Sequence, residues 1–327
     1  MIRALYGYRG ELAPFAGRSP GEQVGLLRSW GCNAIFGGYD DPAFVDAAHD
    51  AGMPVYAEFG CFVGERWWNE VPASRPILAD GSLLEADEWY AGVNPSHPEV
   101  RSRLLQDLER LVRRAPIDGV WLDFIRWPCH WEAPDPTRPA TSFDSGTLER
   151  FTAATGIAVP PKAVRASELL LGAESRAWTD WRCQQITDWV REAGELIRSV
   201  RHEALVGLFS IPWRQDDFEG ALTGVVGQDL AALGEHVDVF SPMVYHLMCG
   251  QPPEWIAEVV RDVRRTSGKR VWPIIQSVDK PADLSPEAYG QALDAAMGCD
   301  ESDGLIVFTL EGMLSPAKVA ATRSRWT

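Results

Sequence analysis

A carboxylate that ends an apolar run is the residue in this sequence best suited to chemistry. Residues 117–128 read I-D-G-V-W-L-D-F-I-R-W-P, and the apolar residues 120–122 predict a buried strand of a parallel sheet. Asp123 lies where this strand ends, and Arg126 follows closely. An ionised carboxylate is rarely buried without a partner, so Asp123 is either catalytic or the structural partner of Arg126. We favour catalysis, because the carboxyl ends of barrel strands form active sites.

Two more acids lie near the ends of predicted strands and could complete a catalytic pair. Glu58 belongs to V-Y-A-E-F, and Glu311 follows F-T-L. Two carboxyl groups can cleave a glycosidic bond, since one protonates the departing oxygen and the other attacks the anomeric carbon or activates water. Apolar neighbours would raise the pKa of Glu58, as a general acid requires, although a core Glu paired with an Arg remains an alternative. We expect Asp123 to be nucleophile or transition-state stabiliser and Glu58 or Glu311 to be proton donor.

Several side chains at or beyond strand ends are candidates for binding a sugar. Aromatic faces stack on pyranose rings, and polar groups bind hydroxyls. The candidates are Tyr8, Arg126, Trp127, Trp213, Tyr245, His246 and Gln276. Core packing is an equally good interpretation of the aromatic residues, and a lone histidine is usually structural.

The order of the predicted elements indicates how these residues are brought together. Strand patterns begin near residues 4, 33, 55, 120, 205, 238, 271 and 305, and helical periodicity follows each of them. This alternation predicts an α/β fold, a single (β/α)8 TIM barrel spanning residues 1–327. Two long loops, residues 60–97 and 129–175, follow strands 3 and 4 and should form walls of the site. An open doubly wound sheet fits less well, because no glycine-rich dinucleotide fingerprint follows the first strand.

Composition restricts the class of ligand. The net charge is -15 and no run of basic residues occurs, so we expect neither nucleic acid nor an anionic membrane as partner. The 14 Trp residues favour a carbohydrate ligand. Six scattered cysteines predict free buried thiols, and H-W-E at residues 130–132 is too weak a pattern for zinc, so we expect no metal or cofactor. The chain shows no signal peptide or membrane-spanning segment, which predicts a cytoplasmic protein.

Three motifs make the chain similar to a known family. Residues 94–101 read N-P-S-H-P-E-V-R, residues 117–128 are given above, and residues 241–245 read S-P-M-V-Y. On these motifs the chain resembles the glycosyl hydrolase-like family 10 proteins, bacterial (β/α)8 barrels distantly related to family 18 chitinases. The resemblance implies hydrolysis of glycosidic bonds in an oligosaccharide or polysaccharide, and it matches Asp123 to the family's acid on strand four.

Two departures from the chitinase pattern leave other functions open. Ile125 occupies the position of the acid that protonates the leaving group in chitinases, and His246 follows Tyr245 where chitinases have a carboxylate. One alternative is therefore a non-catalytic carbohydrate-binding barrel. Another is a metal-dependent barrel lyase or isomerase.

Overall fold

Short parallel strands form one sheet that closes on itself in the computed structural model, which describes residues 1–327. Each strand from β1 to β5 pairs with the next strand in the chain. Strand β6 pairs with β7 and β8, β8 pairs with β9, and β9 pairs with β1, which closes the sheet. The strands are β1 (Ile2–Tyr8), β2 (Ala34–Gly37), β3 (Val55–Gly60), β4 (Gly119–Asp123), β5 (Leu205–Ser210), β6 (Val239–Val244), β7 (Arg270–Val271), β8 (Ile274–Gln276) and β9 (Gly304–Phe308).

The strands β7 and β8 are two halves of one barrel position. Both pair with β6, and they are separated by Trp272 and Pro273. Pro273 has no N–H to donate to a ladder, which explains the interruption. The barrel thus has eight strand positions, and the predicted (β/α)8 TIM barrel is confirmed.

Helices connect the strands along the outside of the barrel. Helical periodicity follows each strand pattern in the sequence, and none of the helices is both long and apolar enough to cross a membrane. They are α1 (Pro20–Ser29), α2 (Pro42–Asp50), α3 (Glu65–Glu70), α4 (Pro98–Arg114), α5 (Ser145–Thr155), α6 (Ala163–Leu170), α7 (Ser175–Val200), α8 (Ala221–Gly224), α9 (Leu230–Gly234), α10 (Trp255–Ser267), α11 (Pro286–Met297), α12 (Leu310–Met313) and α13 (Pro316–Trp326), with 3-10 turns at Pro72–Ser74 and Asp217–Glu219.

Aromatic side chains fill the interior of the barrel below the carboxyl ends of the strands. The Trp121 ring lies 4.8 Å from that of Tyr56, 5.0 Å from Phe36 and 5.2 Å from Trp272, between ring centroids. Its indole N–H donates a hydrogen bond of 2.9 Å to the Ser241 hydroxyl, so its polar group is satisfied. The Trp121 stack therefore fills the lower interior of the barrel with packed side chains.

The two long loops are tied to each other. Asn94, in the first loop, donates hydrogen bonds of 3.0 Å to the Asp144 carboxylate and 2.7 Å to the Thr147 hydroxyl, both in the second. Asn94 and Thr147 are completely buried, so these bonds are shielded from water. The motif at residues 94–101 therefore joins the two long loops to each other.

Candidate active site

A cleft of about 940 Å³ opens at the carboxyl ends of the strands. Its floor includes Tyr6, Glu58 and Asp123 from β1, β3 and β4. Its walls include residues 87–89 and 130–133 of the two long loops. Ligand sites in (β/α)8 barrels lie at this end of the strands, so this cleft is the candidate active site.

Asp123 and Glu58 form a pair of carboxyl groups on the floor of the cleft. The parallel register places Asp123 beside Gly60 on β3, two residues beyond Glu58. Glu58 accepts a hydrogen bond from the Tyr6 hydroxyl and lies within hydrogen-bonding reach of Asp123. One oxygen of Asp123 accepts a 2.6 Å bond from the Phe124 N–H. Two carboxyl groups this close do not both ionise readily, because the negative charge of one raises the pKa of the other.

The electrostatics of the pair favour a proton on Asp123. Burial raises the pKa of Asp123 to about 8, and the negative charge of Glu58 adds to this rise, while the positive charge of Arg126 opposes it. Burial also raises the pKa of Glu58, but the hydrogen bonds from Tyr6 and Asp123 oppose that rise by stabilising its anion. Near neutral pH Asp123 is therefore the member of the pair that keeps a proton.

Arg126 acts on Asp123 through its charge and forms no ion pair with it. The guanidinium lies over the rings of Phe124 and Tyr90, at 4.9 and 5.2 Å from their centroids. Its Nε donates to the carbonyl of Cys129 at 3.3 Å. The side chain is buried but lines the cleft, so it remains within reach of a ligand.

Tyr245 is the other predicted binding residue that lines the cleft. Its ring stacks on Phe308 with the centroids 5.0 Å apart, and Trp131 packs beside it at 5.5 Å. These rings form an apolar wall next to the carboxyl pair, which is a surface suited to the face of a sugar ring.

Glu311 lies outside the cleft. Strand β9 ends at Phe308, and the short helix α12 then carries Glu311 to the surface, where its carboxylate pairs with Arg9 at 3.0 Å. Its side chain is 64% exposed. Thr309 lines the cleft instead. We therefore withdraw Glu311 as a candidate proton donor.

Tyr8 also points away from the cleft, and the cause is a bulge in β1. Tyr6 and Tyr8 would share a face of a regular strand, but the register shifts between them and Gly7 has a φ of 84°. Tyr8 consequently stacks on Phe44 at 4.2 Å and donates a 2.6 Å hydrogen bond to Gln23. Its role is structural, and Tyr6 is the tyrosine that reaches the floor of the cleft.

Two of the predicted binding tryptophans belong to the core. Trp127 packs against Trp181 at 6.0 Å and beneath the Arg182 guanidinium at 4.6 Å. Trp213 packs on Phe218 at 4.9 Å, beside a separate small cavity of about 140 Å³. Neither ring is available to a ligand in the main cleft.

His246 and Gln276 are buried behind the cleft wall. The Nδ1 atom of His246 has no hydrogen-bond partner, and burial lowers the pKa of its ring. The Gln276 amide donates to the carbonyls of Val278 and Lys280 at 3.0 and 2.7 Å and accepts from the Met248 N–H at 3.1 Å. Gln276 therefore shapes the loop that lines the cleft without facing the ligand.

The sequence interpretation missed a histidine held between two acids in the cleft wall. His130 Nδ1 lies 2.9 Å from Asp87, and Nε2 lies 3.5 Å from Glu132. The hydrogen bond with Glu132 raises the pKa of His130, Asp87 adds to the rise, and burial opposes it. The H-W-E pattern was the available signal, since alternate residues of an extended segment share a face. No group of His, Cys, Asp and Glu residues is arranged to hold a metal ion.

The position of the chitinase acid is occupied by a core residue. Phe124 adopts a φ of 54°, which turns the chain directly after Asp123. Ile125 is then completely buried, and its carbonyl accepts a 2.9 Å hydrogen bond from Gln228. No acid takes its place at this point of the chain.

The glycosyl hydrolase-like 10 family model matches residues 37–219, which is more than half of the chain. The chain belongs to the glycosyl hydrolase-like 10 family. The resemblance seen in the sequence is thereby confirmed. No curated protein sequence matches the chain.

Solved structures share the fold of this glycosyl hydrolase-like 10 protein at low sequence identity. The glycoside hydrolase domain of PgaB (BpsB) from Bordetella bronchiseptica has a TM-score of 0.73 and 14% identity, covering 100% of this chain and 99% of that one. A β-galactosidase from the Antarctic haloarchaeon Halorubrum lacusprofundi has a TM-score of 0.67 and 13% identity, covering 100% and 57%. The GH42 β-galactosidase Gan42B of G. stearothermophilus, studied as a catalytic mutant, has a TM-score of 0.65 and 11% identity, covering 99% of this chain and 56% of that one. At these identities the likeness shows the fold, which is that of TIM-barrel glycosidases.

Proposed function

We propose that the protein is a glycoside hydrolase that cleaves O-glycosidic bonds in an oligosaccharide or polysaccharide. The proposal depends mainly on one observation, the buried carboxyl groups of Asp123 and Glu58 side by side on the floor of the cleft. The family and the glycosidase fold support it. Within that fold, a buried carboxyl group that keeps its proton near neutral pH is suited to general acid catalysis.

In this proposal Asp123 donates the proton to the departing glycosidic oxygen. Glu58 keeps that proton on Asp123, because its negative charge raises the pKa of Asp123. The Tyr6 hydroxyl stabilises the Glu58 anion by its hydrogen bond. These roles reverse those expected from the sequence, where Asp123 was the nucleophile or stabiliser and Glu58 the donor.

The cleft wall supplies surfaces for the sugar. The side chains of Tyr245 and Arg126 line the cleft together with the carboxyl pair, where the guanidinium can hold a hydroxyl group. Trp89, on the first long loop, is 52% exposed at the cleft and packs edge-on against Phe124 at 5.9 Å. An exposed indole at such a position is a platform for a second sugar unit.

A product screen tests the proposed function. Aryl glycosides and defined oligosaccharides are incubated with the wild type, Asp123→Asn and Glu311→Gln. We expect the wild type and Glu311→Gln to release the same products at similar rates, and Asp123→Asn to release them from the oligosaccharides about 10²–10⁴-fold more slowly.

A non-catalytic carbohydrate-binding protein is the second candidate, favoured by the buried Ile125 at the position of the chitinase acid. In that case sugars would bind equally well to the wild type and Asp123→Asn, and neither would release a product. A reaction abolished by a chelator would instead favour a metal-dependent barrel enzyme.

A further inference from the structure

We propose that Glu132 is the general base of the reaction and acts on the opposite side of the scissile bond from Asp123. This inference rests on the proposed glycoside hydrolysis and adds the catalytic residue that the pair of Asp123 and Glu58 cannot supply.

The first reason is the closeness of Asp123 and Glu58. Hydrogen-bonded carboxyl oxygens lie roughly 2.5–3 Å apart. The two carboxyl groups of a glycosidase lie about 5–5.5 Å apart in retaining enzymes and about 6.5–9.5 Å apart in inverting ones. Asp123 and Glu58 are too close to lie on both sides of an anomeric carbon. They act together as one proton donor, and the second role needs another carboxylate.

The second reason is the position of Glu132 among the other acids of the cleft. Asp87 and Glu88 also line it, but the Asp87 side chain is 44% exposed and Glu88 is on the exposed rim. The Glu132 side chain is only 19% exposed. Its charge contributes to the raised pKa of Asp123 and of Tyr245, yet it forms no hydrogen bond with Asp123. Glu132 and Asp123 therefore line the same cleft with no hydrogen bond between them.

The third reason is that Glu132 is held in place. The backbone N–H and carbonyl of His130 pair with Thr137 at 3.2 and 2.9 Å, which closes a short hairpin around Glu132. Trp131 is buried in this hairpin and packs on Tyr245. The His130 ring stacks on Tyr90 at 5.9 Å and contacts only one carboxylate oxygen of Glu132. The other oxygen has no protein donor and is free to accept a proton from water.

Asp123 transfers its carboxyl proton to the glycosidic oxygen, and the bond between this oxygen and the anomeric carbon breaks with its electron pair on the oxygen. A water oxygen forms the new bond to the anomeric carbon from the opposite face, and Glu132 takes one proton from that water. Asp123 ends as a carboxylate and Glu132 as a carboxylic acid, and proton exchange with solvent restores both. The anomeric configuration of the product is inverted.

The test compares Glu132→Gln and Glu132→Ala with Asp135→Asn on the glycoside that the wild type cleaves. Asp135 is an exposed acid of the same loop and is the matched control. We expect Glu132→Gln to lower kcat by about 10²–10⁴-fold, and by a similar factor on a glycoside of an activated phenol and on an oligosaccharide. Asp135→Asn should leave kcat unchanged. Azide should restore turnover of the activated glycoside by Glu132→Ala and yield a glycosyl azide of inverted configuration. The thermal melting temperature of each variant shows whether it is folded.

The outcomes separate this inference from the proposed function. A wild type that cleaves no glycoside overturns the proposed function, and the role of Glu132 with it. If the wild type cleaves a glycoside and a folded Glu132→Gln keeps most of its kcat, the inference alone is wrong. A first product of retained configuration, followed by NMR, also overturns the role of Glu132 as base while leaving the glycosidase intact.

His130 is a positioning residue in this scheme. We expect His130→Ala to lower kcat by about 10–100-fold with KM unchanged, because a small displacement of the base is costly. His130→Gln, whose amide can still donate to Glu132, should recover part of this loss. Equal losses in both variants, or a change confined to KM, would contradict the positioning role.

Discussion

The pKa of Asp123 is raised mainly by burial and by the negative charge of Glu58 beside it. Its pKa is about 8, and only the protonated form can act as a general acid. We therefore predict that kcat/KM falls as the pH rises through about 8, whereas an ordinary aspartate would lose its proton near pH 4. A pH profile of kcat/KM on an unactivated glycoside checks this. A rate that stays constant from pH 7 to above 9 would be inconsistent with Asp123 as the acid.

The same residue makes the folded protein sensitive to pH. The native pKa of Asp123 lies above its value in the unfolded chain, so between about pH 4 and 8 the native state holds a proton that the unfolded chain releases. The free energy of unfolding should fall across this window, by at most about 1.4 kcal/mol per pH unit.

Asp123→Asn removes this decrease in the free energy of unfolding, because an asparagine side chain does not titrate. Its stability advantage over the wild type should be small near pH 4 and should grow toward pH 8. Chemical denaturation at several pH values measures the difference, and an advantage independent of pH would rule out the linkage.

At the residue scale the sequence could predict some side chains of the cleft and not others. Asp123 and Glu58 lie on the adjacent strands β4 and β3, so their approach follows from the alternation of elements. Tyr8 was predicted for the site in place of Tyr6 because the bulge at Gly7 leaves no clear trace in the sequence. The partners of His130 come from two loops whose meeting is decided by tertiary contacts.

At the scale of elements, the Trp121 indole fits inside the barrel because the neighbouring strand β5 has a glycine beside it. A Cβ at Gly207 on β5 would lie 2.1 Å from the Trp121 ring. We predict that Gly207→Ala lowers the free energy of unfolding by about 1–3 kcal/mol or more, because the packed ring stack cannot move aside. Gly25→Ala is the control, since a Cβ at Gly25 in α1 meets nothing within 4 Å. Urea denaturation measures the free energy of unfolding of both variants, and equal changes in the two would count against the close packing.

The elements themselves were largely predictable. All eight strand positions follow from short apolar runs bounded by turn residues, and α4 follows from its strong apolar periodicity. The short helices α3 and α6 were not predicted. Ser167 in α6 donates a 3.1 Å hydrogen bond to the Ala79 carbonyl of the other long loop, so contacts between distant segments hold this helix in place.

At the scale of the whole molecule, the barrel and its loops share one hydrophobic cluster, and all six cysteines are buried as free thiols. A buried thiol is inaccessible to a reagent in water. We predict that the native protein reacts with a thiol reagent only as fast as it opens, and that denaturant releases six equivalents. Absorbance at a fixed reagent concentration measures the rate, and rapid labelling of several thiols in the native state would contradict the burial.

The whole-molecule prediction of a (β/α)8 barrel succeeded because each strand and helix pattern is local in the sequence. The shape of the cleft depends instead on how the two long loops meet, through the buried bonds of Asn94 to Asp144 and Thr147. The motif at residues 94–101 marked the family, but its physical role is visible only in the folded chain.

The most direct measurement of the central claim is how the effect of Asp123→Asn depends on the leaving group. The variant and the wild type are compared on two glycosides of the same sugar, one with a nitrophenol leaving group and one with an unactivated alcohol. Because a nitrophenolate departs without a proton, we predict a loss below about tenfold on the first and about 10²–10⁴-fold on the second. An equal loss on both substrates would contradict the assignment of Asp123 as the proton donor.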